Sequence, residues 1–98
     1  LMPAKRKIPK VNKKNFPYPL VRIYWEDIIG ETTWSDIVDI KKSKTAICFS
    51  VGWLVNQNEV TTVVMADYSF EDNNDIKQGG NYTTIPTKNV LTIKKIKI

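Results

Sequence analysis

Histidine is absent from the chain and cysteine occurs once, at Cys48. Imidazole acid–base chemistry, Cys/His zinc sites and an internal disulfide are thereby excluded. Leucine and alanine are scarce, with 4 and 3 residues against 12 Ile, 9 Val and 9 Thr. Stiff β-branched side chains favour strands, and the best helix formers are missing among the apolar residues, so composition predicts a mainly β fold. Apolar runs such as Val51 to Val55 fall far short of the roughly 18 to 20 residues a membrane span needs. The basic start has no apolar signal segment, and the chain opens on Leu1 rather than Met, as with an artificially added residue or after processing. Together these features predict one soluble, intracellular domain with an arm and a modest core, without membrane contact.

What is present is a divided charge. Lys5, Arg6, Lys7, Lys10, Lys13 and Lys14 give residues 1–14 a charge of +6 with no acid. The remaining 84 residues hold nine cations and ten acids, 9 − 10 = −1, so the net +5 belongs to the arm. Pro3, Pro9 and Asn15-Phe16-Pro17-Tyr18-Pro19 bar a continuous helix and predict an extended or polyproline arm over residues 1–19, leading into a body over residues 20–98. A polybasic arm finds polyanions by releasing their counterions. Six like charges become ordered only when something holds them.

In the body, Val21, Ile23 and Trp25 alternate with Leu20, Arg22, Tyr24 and Glu26, predicting a first strand from Leu20 to Ile29 broken at Gly30. Thr33-Trp34-Ser35-Asp36 reads as a capping box for a short helix reaching about Lys42, with Trp34, Ile37 and Val38 on its apolar face. Thr45 to Val55 and Val60 to Phe70 predict a hairpin around Asn56–Glu59. On its first strand Ile47, Phe49, Val51, Trp53 and Val55 form the expected apolar face. Ala46, Cys48, Ser50, Gly52 and Leu54 form a small second face suited to close packing or a bend. Glu71 to Gly80 reads as a loop, Asn81 to Pro86 as a fourth strand and Val90 to Ile98 as a fifth, with a bulge or register change at Lys94-Lys95. The expected fold is a small, strongly bent antiparallel sheet or five-stranded barrel with one short helix after the first strand.

Val21-Arg-Ile-Tyr-Trp-Glu-Asp27, Cys48-Phe-Ser-Val-Gly-Trp-Leu-Val55, Val63-Val-Met-Ala66 and Ile85-Pro-Thr-Lys-Asn-Val90 resemble, in order and spacing, a group of short bacteriophage proteins. The Ile-Pro, turn and final strand are similar to SH3-like and Sm-like small barrels. That resemblance implies a viral protein of the infected cell's cytoplasm or of the virion, and implies no catalytic residue. The basic arm departs from the group's pattern.

The carboxylates Asp67, Glu71, Asp72 and Asp75 lack the spacing of a metal loop, because Ile76 stands at the third ligand position, and they read as a solvated loop. Trp34 and Trp53 are expected in the core. Tyr24, beside Arg22, and Tyr82 are the stacking candidates. Cys48 reads as an inert small residue in an apolar strand. The expected function is therefore non-enzymatic, with no cofactor and no metal. Lys5, Arg6, Lys7, Lys10, Lys13, Lys14, Arg22, Tyr24 and Tyr82 would bind a phosphate-bearing ligand, nucleic acid or a nucleotide signal of host defence. The competing expectation is a module binding host or viral protein, or a homo-oligomer joined through sheet edges and arms.

Overall fold

A computed structural model of the chain describes residues 5–97; Pro3 and Ile98, part of the expected arm and last strand, lie outside them. The strands are β1 (Leu20–Asp27), β2 (Ala46–Gln57), β3 (Thr61–Phe70), β4 (Ile76–Pro86) and β5 (Val90–Lys95). A one-turn helix, α1 (Ile37–Ile40), lies between β1 and β2, and a 3-10 turn at Thr87–Asn89 leads into β5. The strands form one open antiparallel sheet in the order β4-β3-β2-β1-β5, leaving β4 and β5 as its borders. No helix among the described residues is long and apolar enough to cross a membrane.

The alternation in β1 does what its spacing predicts. Val21 and Ile23 turn inward and, with Val64 and Ile85, form the buried core, around which Trp25, Leu54, Val90 and Ile93 pack. Thr62 is also fully buried, and its hydroxyl is satisfied. The Thr87 hydroxyl donates to the Asn58 carbonyl at 2.8 Å, so the Thr62 hydroxyl donates to Thr87 Oγ1 at 3.0 Å and accepts from Gln57 Nε2 at 3.3 Å. That relay ties the β2–β3 turn to the 3-10 turn. Asn58 closes the hairpin itself, its side-chain oxygen accepting from the Val60 and Thr61 amides.

Several expectations change. On β2 the inward face is Ala46, Cys48, Ser50, Gly52 and Leu54, while Ile47, Phe49 and Val51 are exposed. The cause is the bend: a Cβ on Gly52 would stand 2.8 Å from the Met65 carbonyl oxygen, so the β3 backbone folds down onto this face and leaves room only for small residues. Ser50 serves there as the acceptor for Trp25 Nε1 at 3.0 Å. The fourth strand begins at Ile76 rather than Asn81, because Gly79 and Gly80 pair with Tyr68 and Asp67 instead of ending a loop. The β1–β5 register shifts at Tyr24/Trp25, leaving Leu91 as the extra residue, and not at Lys94-Lys95. The helix shrinks to four residues capped at Asp36, with no side-chain cap bond and no buried residue, so neither the Thr33 box nor its apolar face forms.

The core is small for the chain. The radius of gyration is 19.0 Å, where a compact domain of this length has about 13 Å. The accessible surface is 8757 Å², where a compact 11.3 kDa monomer exposes about 5,700 Å². The excess goes with an elongated outline of 64 × 38 × 21 Å, on which large hydrophobics such as Ile28, Trp34, Ile47 and Val60 are exposed.

Candidate ligand-binding surface

The arm is held from within. Asn12 and Asn15 lock a turn: Asn12 Oδ1 accepts from the Lys14 and Asn15 amides at 2.9 and 3.2 Å, and Asn15 Oδ1 accepts from the Asn12 amide at 2.8 Å. Asn15 Nδ2 donates back to the Lys10 carbonyl at 2.9 Å. The turn delivers Phe16 into an aromatic nest, its ring centroid 4.5 Å from Tyr68, 5.1 Å from Tyr18 and 5.5 Å from Trp53. Phe16 is buried, and Pro19 then accepts a backbone bond from Leu54 at 2.9 Å, fixing the entry into β1. The residues before the turn run past Phe70 and Asn74 at the β3–β4 tip, where Arg6 to Pro9 line a shallow depression. Lys5, Arg6, Lys7, Lys10, Lys13 and Lys14 are all exposed.

Behind the nest the sheet's outer face is ordered in rows. Leu20, Trp53, Met65 and Tyr82 pair in succession across β1, β2, β3 and β4. Tyr68 and Phe70 join the Met65 side because Ala66 and Asp67 are exposed in succession, breaking the alternation of β3 opposite Asn81, whose φ is +51°. An added Cβ on Gly79 would collide with Met65 Sδ, so glycine there lets the Met65 side chain lie across β4.

Two rows farther along β1, the outer face is uncovered. Arg22 pairs with Val51 on one side and Lys94 on the other. In the next row Tyr24 pairs with Phe49 and Thr92, the Tyr24 and Phe49 rings lying 4.8 Å apart at 49°. Tyr24 and Phe49 are 48% and 52% exposed, so the pair keeps about half of its surface towards solvent. Two cations thus stand one row, about 7 Å, from two aromatic rings. Sequence reading found Arg22 and Tyr24, and missed Phe49 and Lys94. Phe49 reads in the sequence only as part of an apolar strand face; Lys94 joins through the β1–β5 register, which its own spacing does not reveal.

Tyr82 is also exposed on this face but lies in the Leu20 row on β4, ~19 Å from Tyr24 along the sheet. The structure therefore joins Arg22 to Tyr24 and keeps Tyr82 and the arm lysines apart from them. Asp67 accepts from Asn81, and Asp75 from Asn73 at 3.1 Å, inside the β3–β4 hairpin. Among the described residues no three His, Cys, Asp or Glu converge on a metal position.

Neither expected core tryptophan joins the core: Trp53 is half-buried on the outer face under Phe16, and Trp34 is fully solvent-exposed at 101%. A single helical turn offers no neighbour to cover it. Trp34→Ala is accordingly expected to leave the unfolding free energy within about 0.5 kcal/mol in urea titration; a loss of about 2 kcal/mol would mean that the indole is packed. Comparison of the chain with family models, with curated proteins and with solved structures finds no match.

Proposed function

We propose that the protein is a non-enzymatic binding protein that holds a phosphate-bearing ligand, single-stranded nucleic acid in the first place, on the outer face of β1, β2 and β5. One observation carries the reading: the Tyr24–Phe49 pair and the Arg22–Lys94 pair occupy adjacent rows of an uncovered sheet face. Open aromatic faces stack bases irrespective of sequence, and neighbouring cations meet the phosphates between them. Arg22 presents a planar, forked donor set and Lys94 a point charge. The arm cations add long-range attraction that weakens with salt. A nucleotide signal fits the same two rows with fewer contacts and is the narrower form of the proposal. The SH3-like reading of the fold draws support from the strand order and from the 3-10 turn between Pro86 and β5.

Fluorescence anisotropy with a labelled single-stranded oligonucleotide tests this. Tyr24→Ala and Phe49→Ala should each weaken binding by ~1–3 kcal/mol at every sequence tried. Lys94→Ala should lower the salt slope by about 1. Tyr82→Ala, remote from the paired cations, should have the smallest effect. Binding that ignores both Tyr24 and Phe49, or that disappears only with the arm, would leave the sheet face without the role assigned to it.

A further inference from the structure

We propose a second binding surface, in which the excursion between β1 and β2 receives the basic arm of a second copy of this chain. The excursion is built against solubility. Ile28, Ile29, Trp34, Ile37, Val38 and Ile40 are all exposed, within thirteen residues, and none belongs to the core. A stretch so apolar on a monomer marks a surface that something covers.

Charge identifies the occupant. Glu26 to Ile40 contains Glu26, Asp27, Glu31, Asp36 and Asp39 and no cation. Two adjoining hollows of about 330 and 480 Å³ share Ser35 and Asp39 as walls. Glu31 and Asp36 complete their acidic lining, with Ile29, Ile40 and Trp34 as the apolar part. Lys41, Lys42 and Lys44 follow the helix and line neither hollow. The matching ligand is a short extended segment, rich in cations and bearing isolated aliphatic side chains. Residues Lys5–Lys14 of this chain are such a segment: six cations, no acid, and Ile8 and Val11 exposed among them. A lysine ammonium can sit on the bare Trp34 face while the carboxylates take its neighbours.

The donor is a second copy: a chain's own segment lies at its β3–β4 tip rather than on its own excursion. Only the base of the arm is pinned, so the residues before the turn can lift from that shallow depression towards a neighbour. Asn12, Asn15 and Phe16 pin that base to the sheet, and Arg6 to Pro9 lie at the β3–β4 tip with their cations facing outward. The segment Lys5–Val11 can extend about 24 Å from that turn, far enough to cross to a neighbour. Arm on excursion is a contact between unlike surfaces. Two copies can exchange it reciprocally, or it can propagate from copy to copy. Polyanions then compete with the excursion for the arm, so this association and nucleic-acid binding through the arm oppose each other.

Sedimentation velocity on the full chain is the test. Concentration-dependent association is expected at about 50 mM salt, with the dissociation constant rising at least about tenfold at about 500 mM as the pairing charges are screened. Trp34→Ala should weaken it, and Glu31→Lys/Asp36→Lys/Asp39→Lys should abolish it. So should Lys5→Glu/Lys7→Glu/Lys10→Glu. All of these positions are exposed, so each variant should keep the wild-type circular dichroism spectrum. Mixing the two charge-reversed chains should restore association between them. A wild-type chain that stays monomeric at low salt overturns the proposal, as does association that survives either reversal or a mixture of the two reversed chains that stays monomeric.

Discussion

In the Phe16→Ala variant, the urea unfolding curve is expected to shift by the equivalent of about 3 kcal/mol, within the range for truncating a buried phenyl ring. A domain of this length is stable by about 5–15 kcal/mol, so the loss is a large share of the total. Phe16 is 7% exposed and touches three aromatic rings, so its removal leaves a hole beside the packed Trp53–Tyr68 pair that neither stiff ring can fill. It also frees the arm, because the Asn12–Asn15 turn then has no side chain driving it onto the sheet. Limited trypsin cleavage at Lys13 and Lys14 should accelerate in parallel. Phe16→Leu should recover most of the stability. A variant as stable as the parent and equally resistant to trypsin would mean that the arm is not anchored through this ring.

The second large effect concerns Gly52. Replacing it with alanine adds only one methyl group, and by removing freedom from the unfolded chain it would ordinarily stabilise by about 0.4–1 kcal/mol. At this position the methyl carbon meets the Met65 carbonyl oxygen at 2.8 Å, its carbon at 3.3 Å and its nitrogen at 3.4 Å. Those are main-chain atoms of a paired strand and cannot rotate away, so β2 and β3 must separate. Overpacking of that kind costs about 1–3 kcal/mol and outweighs the entropic gain. The net result should be a fall in melting temperature of about 5–15 °C in a domain of this size. Gly30→Ala is the contrast, since an added Cβ there meets nothing within 4 Å. Equal melting temperatures for the two variants would contradict the bend at Gly52.

Much of this architecture is legible in the chain where side-chain chemistry and strand period agree. Val21, Ile23 and Trp25 alternate with polar residues and face inward as written, and the hairpin around Asn58 follows its turn chemistry. The period also gives the two faces of β2, and the small face carries the close approach expected at Gly52. In a bent sheet the concave face has less room, so Gly52 and Ser50 belong inside and Phe49 outside. Gly79-Gly80 misleads: glycines that look like a loop are strand residues, and Gly79 makes space for Met65. Trp34, Ile37 and Val38 carry helical spacing with no surface to pack on, and spacing alone cannot supply one. For the candidate site, Arg22 and Tyr24 emerge from one strand, whereas Phe49 and Lys94 arrive from partners that only the register discloses.

The borders of the open sheet carry a consequence for behaviour at high concentration. An unpaired border strand is a template on which another chain can crystallise its backbone, the first step towards fibrils. β5 meets that hazard with Lys94 and Lys95, and Lys97 follows, each needing water and repelling its counterpart on an approaching copy. β4 meets it differently, with the left-handed kink at Asn81 and the irregular step at Ile76 breaking the straight run of donors and acceptors that a newcomer would have to match. Both borders of the sheet thus carry features that oppose backbone pairing with a further strand.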